Sequence, residues 1–257
     1  MFFSHENTTI YYEKHGEGKK AIVILPGWGD NRTTFNYLIN SLSRYFTIYV
    51  LDYPGFGRSP IPSKFLNIFS YSNLVYEWLK KLELKDPILI GHSFGGRIII
   101  TLSGYYKYKY NNIILIDSAG IKPRKNIYKI IRIYTYKLLK LISKIIPRKY
   151  KQKYINKVFG MFASPDYQNL NEHMRETFKN IVNFDLKTFL KNINSKTLII
   201  WGKDDDATPV KDAIIMNKYI KDSELIVLEG CGHFPYIDKP SLVNCIILEQ
   251  IKTEIRD

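Results

Sequence analysis

The sequence predicts an α/β fold in which helices cover both faces of a mostly parallel β-sheet. Three observations predict it: short β-branched runs without polar alternation, helix-length segments between them, and glycine-containing turns after several runs. Uninterrupted apolar runs are typical of strands buried on both faces. Strands that alternate with helices favour an open, doubly wound sheet with right-handed crossovers. Ligands bind such sheets beyond the carboxyl ends of the strands.

Six runs are predicted to form the strands. They are residues 21–25, 47–51, 87–90, 112–116, 197–201 and 225–228. Five further segments are long enough for helices. They are residues 34–44, 72–82, 94–107, 210–220 and 240–255. The alternation is interrupted after Asp117 by a basic segment, so we predict a core of residues 1–120 and 192–257 with an insertion of residues 121–191.

The composition excludes several protein classes. Of the 257 residues, 45% are hydrophobic and 24% are charged, which argues against a disordered, collagen-like or coiled-coil chain. No apolar run approaches the roughly 18 residues of a membrane span, and the first ten residues include His5 and Glu6 where a signal peptide is apolar. Cys231 and Cys245 form no CxxC pair. We therefore expect a cytoplasmic protein without a disulfide framework or structural zinc.

The positive charge is confined to the insertion. The chain has a net charge of +14, yet residues 121–191 hold 17 basic and 4 acidic side chains, while the rest holds 21 and 20. A nearly neutral frame, without a helix-turn-helix or RNA-binding pattern, argues against a nucleic-acid partner.

A nucleophile elbow is predicted after the run at residues 87–90. There the sequence reads Gly91-His92-Ser93-Phe94-Gly95-Gly96, and a helix is predicted to begin immediately. The G-x-S-x-G pattern is weak by itself, but its place between a buried strand and a helix makes it specific. The turn is so sharp that side chains at Gly91 and Gly95 would collide. Ser93 is therefore the candidate nucleophile, and the alternative is a glycine-rich turn with a helix-capping serine.

His233 is the candidate base for Ser93. A serine hydroxyl needs a group that takes its proton, and histidine is the usual base near neutral pH. His233 lies in a glycine-bounded loop just past the last predicted strand, where its ring could reach over the end of the sheet. The other histidines are interpreted as solvated or structural. They are His5, His15, His92 and His173.

Asp205 is the candidate acid that orients His233. The strand at residues 197–201 runs into a turn that contains Asp204, Asp205 and Asp206. We select Asp205, because it lies three residues after the glycine and four before the proline, and interpret its neighbours as turn-capping or solvated carboxylates. Asp117, at the end of another predicted strand, remains a geometrically credible rival.

Two backbone amides are candidates for an oxyanion hole. One belongs to Phe94, directly after the nucleophile. The other belongs to Trp28, in the turn Pro26-Gly27-Trp28-Gly29-Asp30, where glycines let the backbone approach closely.

These residues resemble the α/β-hydrolase superfamily, with Ser93, Asp205 and His233 in the family's order. The resemblance covers most of residues 8–120 and 196–250. It includes residues 52–59 (DYPGFGRS), similar to the family's D-x-P-G-x-G-x-S turn, and residues 232–240, similar to its G-H-x-P-x-x-E-x-P ending. Two positions depart from the pattern: Pro26 stands where the family usually has histidine, and Asp238 replaces a glutamate.

The resemblance implies acyl-enzyme chemistry on a small-molecule ester or acyl substrate, with no metal or organic cofactor. A carboxylesterase-like serine hydrolase is the leading interpretation. The alternative is a carbon–carbon bond hydrolase of the ring-fission-product type, although those relatives typically follow the histidine with tryptophan and Phe234 stands here. A further alternative is a binding module that has lost catalysis.

The basic insertion is predicted to be a helical cap, or lid, with one cationic amphipathic helix. Between residues 122 and 157 there are 13 basic and no acidic residues. Helical spacing groups Lys129, Arg132, Lys137, Lys140 and Lys144 on one face, with most of the apolar side chains opposite. Three interpretations stay open: the apolar face packs on the core while the lysines are solvated, the helix contacts an anionic membrane surface, or the cap steers an anionic substrate.

Overall fold

The chain divides into two compact units. The computed structural model describes residues 1–30, 32–123, 127–162, 170 and 172–255, and within these it omits the side chains of residues 127–133, 172 and 255. The larger unit comprises Met1–Ile121 and Phe184–Asp257, and the smaller one comprises Lys122–Asn183.

A single mixed sheet forms the centre of the larger unit. Its strands are β1 (Phe2–His5), β2 (Thr8–His15), β3 (Ala21–Leu25), β4 (Thr47–Asp52), β5 (Ile88–His92), β6 (Asn112–Ile116), β7 (Lys196–Gly202) and β8 (Ser223–Leu228). Their order across the sheet is β1-β2-β4-β3-β5-β6-β7-β8. The pairs β1–β2 and β2–β4 are antiparallel and the remaining pairs are parallel. The predicted α/β class with a mostly parallel sheet is thus confirmed.

The strand register aligns the carboxyl ends of four neighbouring strands. Leu25 of β3 pairs with Gly91 of β5, and His92 of β5 pairs with Ile116 of β6. Ile116 in turn pairs with Ile200 of β7. The loops that follow these strands therefore leave the sheet at one edge.

Nine α-helices lie within the described residues. In the larger unit they are α1 (Asn36–Leu42), α2 (Ile68–Lys81), α3 (Phe94–Ile100), α7 (Val210–Tyr219), α8 (Pro235–Asp238) and α9 (Pro240–Gln250). The smaller unit contains α4 (Ile127–Ile142), α5 (Arg148–Phe162) and α6 (Glu172–Asn183). The predicted helix over 94–107 is shorter as an α-helix, because α3 passes into a π-helical turn at Thr101–Tyr105.

Burial of the strands follows their place in the sheet. Every residue of the central strands β3, β5 and β6 is buried, as their continuous apolar runs predict. The same prediction was wrong for β8, where Leu225 and Ile226 are partly buried and Val227 is exposed. The reason is that β8 is an edge strand with one paired neighbour.

The carboxyl-terminal boundary of the insertion lies earlier than predicted. Residues 184–191 were assigned to it, but they belong to the larger unit. Leu186 and Leu190 are fully buried, and the Leu186 amide donates to the Gly120 carbonyl at 2.9 Å. The buried Arg97 also donates through Nη1 to the Phe184 carbonyl at 2.8 Å.

The apolar face of α4 is not covered where its side chains are described. Tyr134, Leu138 and Leu141 are exposed, so the first of the three interpretations, in which this face is buried, does not hold for these side chains. The side chains of Lys129 and Arg132, which the predicted cationic face includes, lie outside the described residues. Among the described residues, no helix has the length and apolar character needed to cross a bilayer.

Candidate active site

Ser93 lies in a strained turn between β5 and α3. Its backbone has φ 48° and ψ −107°, a conformation that non-glycine residues rarely adopt. Hydrogen bonds hold this turn against β6: the Ser93 amide donates to the Ile116 carbonyl at 3.1 Å, and the Ser93 carbonyl accepts from the Ala119 amide at 2.9 Å. The strain is therefore maintained by the neighbouring strand.

The glycines of the turn are required by close backbone contacts. A Cβ atom at Gly95 would lie 1.9 Å from the Leu25 carbonyl oxygen, and one at Gly91 would lie 2.8 Å from the Gly95 carbonyl carbon. The elbow consequently packs directly on β3, which brings the loop after β3 beside Ser93.

Of the three side chains predicted as a triad, His233 lies within hydrogen-bond distance of both of the others. His233 Nε2 is 3.1 Å from Ser93 Oγ, and His233 Nδ1 is 2.7 Å from Asp205 Oδ2. The Asp205 side chain is fully buried, while part of the His233 ring is accessible. This connected hydroxyl, imidazole and carboxylate can pass a proton away from Ser93.

Asp205 is held as a carboxylate. Its Oδ1 accepts from the Ala207 and Thr208 amides at 2.7 and 2.9 Å, and its Oδ2 accepts from the Thr208 hydroxyl at 2.6 Å. Burial raises the pKa of Asp205, but the hydrogen bonds from His233 and Thr208, together with the Asp117 carboxyl, lower it to about 2. The group is therefore ionised at neutral pH.

Asp117, the rival acid, is in the opposite protonation state. Burial, followed by the adjacent Asp205 carboxylate, raises the pKa of Asp117 to about 9, although the Gly202 amide donates to its Oδ1 at 3.0 Å. Its backbone φ of 41° is again in the left-handed region. Because His233 Nδ1 donates directly to Asp205 Oδ2, Asp117 is a neutral neighbour of the Asp205–His233 pair.

Asp117, Asp205 and His233 are also a group of potential metal ligands, with one atom of each within 4.8 Å of the others. Both ring nitrogens of His233 already have hydrogen-bond partners, Asp205 and Ser93. The expectation of a metal-free site stays a prediction.

His92 has a positioning contact that the sequence analysis missed. It is fully buried, and its Nε2 lies 2.8 Å from the His233 carbonyl oxygen, so Nε2 carries the proton and donates it. Its Nδ1 lies 3.3 Å from the Tyr236 hydroxyl and 3.3 Å from Asp30. Burial lowers the pKa of His92, and Asp30 opposes that shift. The place of His92 directly beside Ser93 was the signal available in the sequence.

Trp28 lies beside the elbow. Its ring packs edge-on against Phe94, with ring centroids 5.3 Å apart, and against Phe56 at 5.0 Å. In the same loop Gly27 lets the backbone lie against His92, since a Cβ there would lie 2.9 Å from His92 Nδ1. The two residues predicted to supply oxyanion amides are therefore neighbours.

Comparisons with known proteins identify the family of the chain. A family model described as the alpha/beta hydrolase fold matches residues 20–240. The chain is similar to a pimeloyl-[acyl-carrier protein] methyl ester esterase from Wigglesworthia glossinidia brevipalpis, with 26% identity over 92% of this chain and 95% of that protein. It is also similar to a 2-hydroxy-6-oxononadienedioate/2-hydroxy-6-oxononatrienedioate hydrolase from Pseudomonas putida, with 25% identity over 93% of this chain and 90% of that one.

A solved structure shares the fold. It is an esterase from Exiguobacterium antarcticum, with a TM-score of 0.74 and 24% identity, and the match covers 95% of this chain and 96% of the esterase.

The buried Asp117 predicts a pH-dependent stability difference. Because the pKa is about 9 in the folded chain and near 3.8 in an unfolded one, the unfolded state loses this proton first as the pH rises. Wild-type stability should therefore fall across this window, whereas Asp117→Asn keeps a neutral group throughout. We expect the Tm of Asp117→Asn minus the Tm of wild type to increase between pH 5 and pH 8.5. The increase should be about 2–4 °C for each kcal/mol of unfolding free energy that wild type loses.

Thermal unfolding followed by circular dichroism at several pH values measures this difference. Asp222→Asn, which removes one exposed carboxylate, controls for the loss of a negative charge. A Tm difference between Asp117→Asn and wild type that is the same at both pH values would contradict the assignment of a neutral Asp117.

Proposed function

Because the chain belongs to the α/β-hydrolase family, we propose that it is a serine hydrolase that cleaves esters of small or acyl-chain substrates. The observation that carries this proposal is the unbroken series of hydrogen bonds from Ser93 through His233 to Asp205. The similarity to the pimeloyl-[acyl-carrier protein] methyl ester esterase along nearly its whole length supports the same reaction class.

In the acylation step, Ser93 Oγ attacks the ester carbonyl carbon while His233 Nε2 takes the hydroxyl proton. The resulting imidazolium is stabilised by the Asp205 carboxylate, whose low pKa keeps it charged throughout. Collapse of the tetrahedral intermediate breaks the bond to the alkoxy oxygen, and His233 returns its proton to that leaving group. The alcohol departs and the acyl group remains on Ser93.

Negative charge on the carbonyl oxygen is stabilised by the backbone amides of Trp28 and Phe94. One such donor is worth about 3 kcal/mol of barrier. The tight packing of the Trp28 and Phe94 rings supports a fixed spacing between the two loops that supply these amides. The amino-terminal end of α3, directly after Ser93, adds a favourable partial positive charge.

Deacylation repeats these roles with water as the nucleophile. His233 Nε2 removes a proton from water as its oxygen attacks the acyl carbon, and the same amides stabilise the second oxyanion. The bond to Ser93 Oγ then breaks, the carboxylic acid leaves, and the proton returns to Ser93. His92 supports both steps as a positioning residue, since its bond to the His233 carbonyl restrains the loop that carries the base.

A carbon–carbon hydrolase is the second candidate. The Pseudomonas putida relative, a 2-hydroxy-6-oxononadienedioate/2-hydroxy-6-oxononatrienedioate hydrolase, supports it at an identity almost equal to that of the esterase. We favour the esterase because the residue after the histidine is Phe234 rather than the tryptophan typical of those hydrolases. The Phe234 ring packs against His92, with ring centroids 4.9 Å apart, and so lies next to the base.

The two carboxyl groups predict different kinetic losses. Asparagine at position 205 can donate to His233 Nδ1 and stabilise the wrong tautomer, so kcat for a p-nitrophenyl ester should fall about 10³–10⁴-fold. Asp117→Asn replaces a neutral group by a neutral one and should retain most of the wild-type kcat.

Histidine variants provide the matched comparison for steady-state assays. His233→Ala should lose about as much kcat as Asp205→Asn, while His173→Ala, which changes an exposed residue of α6, should remain close to wild type. Equal losses from Asp117→Asn and Asp205→Asn would refute the assignment of the acid.

A substrate panel separates the two candidate reactions. We expect kcat/KM for at least one p-nitrophenyl ester, in a series of increasing acyl length, to exceed that for a ring-fission diketone by on the order of tenfold or more. Absorbance assays of both substrate types with the same enzyme preparation provide the measurement. If the diketone were cleaved and none of the esters were, the proposed activity would be carbon–carbon hydrolysis instead of ester hydrolysis.

A further inference from the structure

We propose that helix α4 is a docking surface for anionic lipid, on which the protein binds a negatively charged membrane face in the plane of the headgroups. The proposal concerns the smaller unit and goes beyond ester hydrolysis. Its readout is binding, so its failure would leave the proposed reaction untouched.

The first observation is the sign and density of the charge. Residues 122–157 contain 13 basic and no acidic side chains, whereas most of the chain outside the insertion is close to neutral. Lys137, Lys140 and Lys144 are exposed on or just after α4. Each basic side chain near an anionic leaflet adds to the attraction, and the attraction acts over about a Debye length. A segment of this composition is attracted to surfaces that carry many negative charges.

The second observation is the exposure of large apolar side chains beside these lysines. Tyr134, Leu138 and Leu141 are 66%, 61% and 57% exposed, and Ile145, in the turn that follows the helix, is 83% exposed. At about 100° per residue Tyr134, Leu138 and Leu141 fall within a sector about 60° wide, and Lys137 and Lys140 lie to one side of it. Isolated exposed apolar residues are ordinary, but three on one helical stripe, followed by Ile145 in the next turn, indicate an interaction surface.

The combination identifies the partner better than either observation does. An amphipathic helix at a bilayer surface places its apolar side chains at the acyl boundary and its lysines among the lipid phosphates. Lysine stems are long enough to reach the headgroups while the apolar stripe is immersed. A nucleic acid would pair with the lysines through its phosphates but would leave Leu138 and Leu141 in water.

Helix α5 has a basic face of its own. Its exposed Lys149, Lys153 and Lys157 recur every four residues and so lie along one face, beside the exposed Tyr150. Tyrosine is favoured at membrane interfaces, where its ring is immersed and its hydroxyl stays hydrated. The smaller unit therefore presents basic and amphipathic side chains from two helices.

Vesicle co-sedimentation of the full-length protein tests the proposal. One set of vesicles contains phosphatidylcholine alone, and the other contains about one third phosphatidylglycerol. We expect sedimentation with the anionic vesicles, roughly tenfold weaker binding to the neutral ones, and weakening by added salt. Equal recovery with both kinds of vesicle would overturn the proposal.

Two sets of substitutions distinguish docking from general adsorption. Lys137→Gln, Lys140→Gln and Lys144→Gln remove charge from the proposed surface, and Lys211→Gln, Lys218→Gln and Lys221→Gln remove the same charge from exposed positions of the larger unit. Leu138→Ser with Leu141→Ser removes part of the apolar stripe, and Ile214→Ser with Leu242→Ser is its exposed control.

The proposal predicts that both α4 variants lose anionic-vesicle binding by roughly tenfold, while both controls bind like wild type. If the two triple lysine variants lost vesicle binding equally, binding would depend only on net charge, and the proposal would be overturned. Retained binding in Leu138→Ser with Leu141→Ser would also overturn it, since adsorption would then need lysines alone. A duplex DNA arm completes the test: binding to DNA in preference to anionic vesicles would assign the surface to nucleic acid instead.

Discussion

The parallel pairing of β5 with β3 and β6 is the constraint on which the candidate site depends. It sets Gly91 beside Leu25 and His92 beside Ile116, so the chain leaves the three strands at one level. The elbow is then confined between neighbours, because Gly95 approaches the Leu25 carbonyl more closely than any side chain permits. A register shift of one residue would turn alternate side chains to the other face and remove Ser93 from this edge.

Hydrogen bonds of polar groups fix the loops that follow these strands relative to each other. Thr208 donates to Asp205 and contacts the Asp117 carbonyl at 3.1 Å, while His92 holds the main chain of His233. The result is two neighbouring carboxyl groups with opposite protonation, set by their environments. Asp205 is ionised by its donors, and Asp117 is kept neutral by burial and by the charge next to it.

Much of the fold could be predicted because central strands have a distinctive apolar pattern. An edge strand such as β8 has a similar apolar run. Its exposure depends on how many neighbouring strands it pairs with, and the run itself does not contain that information. The boundary at Phe184 was missed for a similar reason, since the sequence of an apolar segment does not indicate which part of the protein it packs against. Spacing identified Asp117 and Asp205 as candidates, but their protonation and the contact made by His92 arise from burial among distant residues.

The central claim is that Ser93 is an activated nucleophile, and labelling with a fluorophosphonate probe tests it most directly. The account predicts that wild type and Ser241→Ala gain one adduct by intact mass, mapped to Ser93, that His233→Ala reacts far more slowly, and that Ser93→Ala gains none. A wild-type protein that keeps its folded circular dichroism spectrum yet takes no label, or an adduct that persists in Ser93→Ala, would contradict the account and favour a binding module without catalysis.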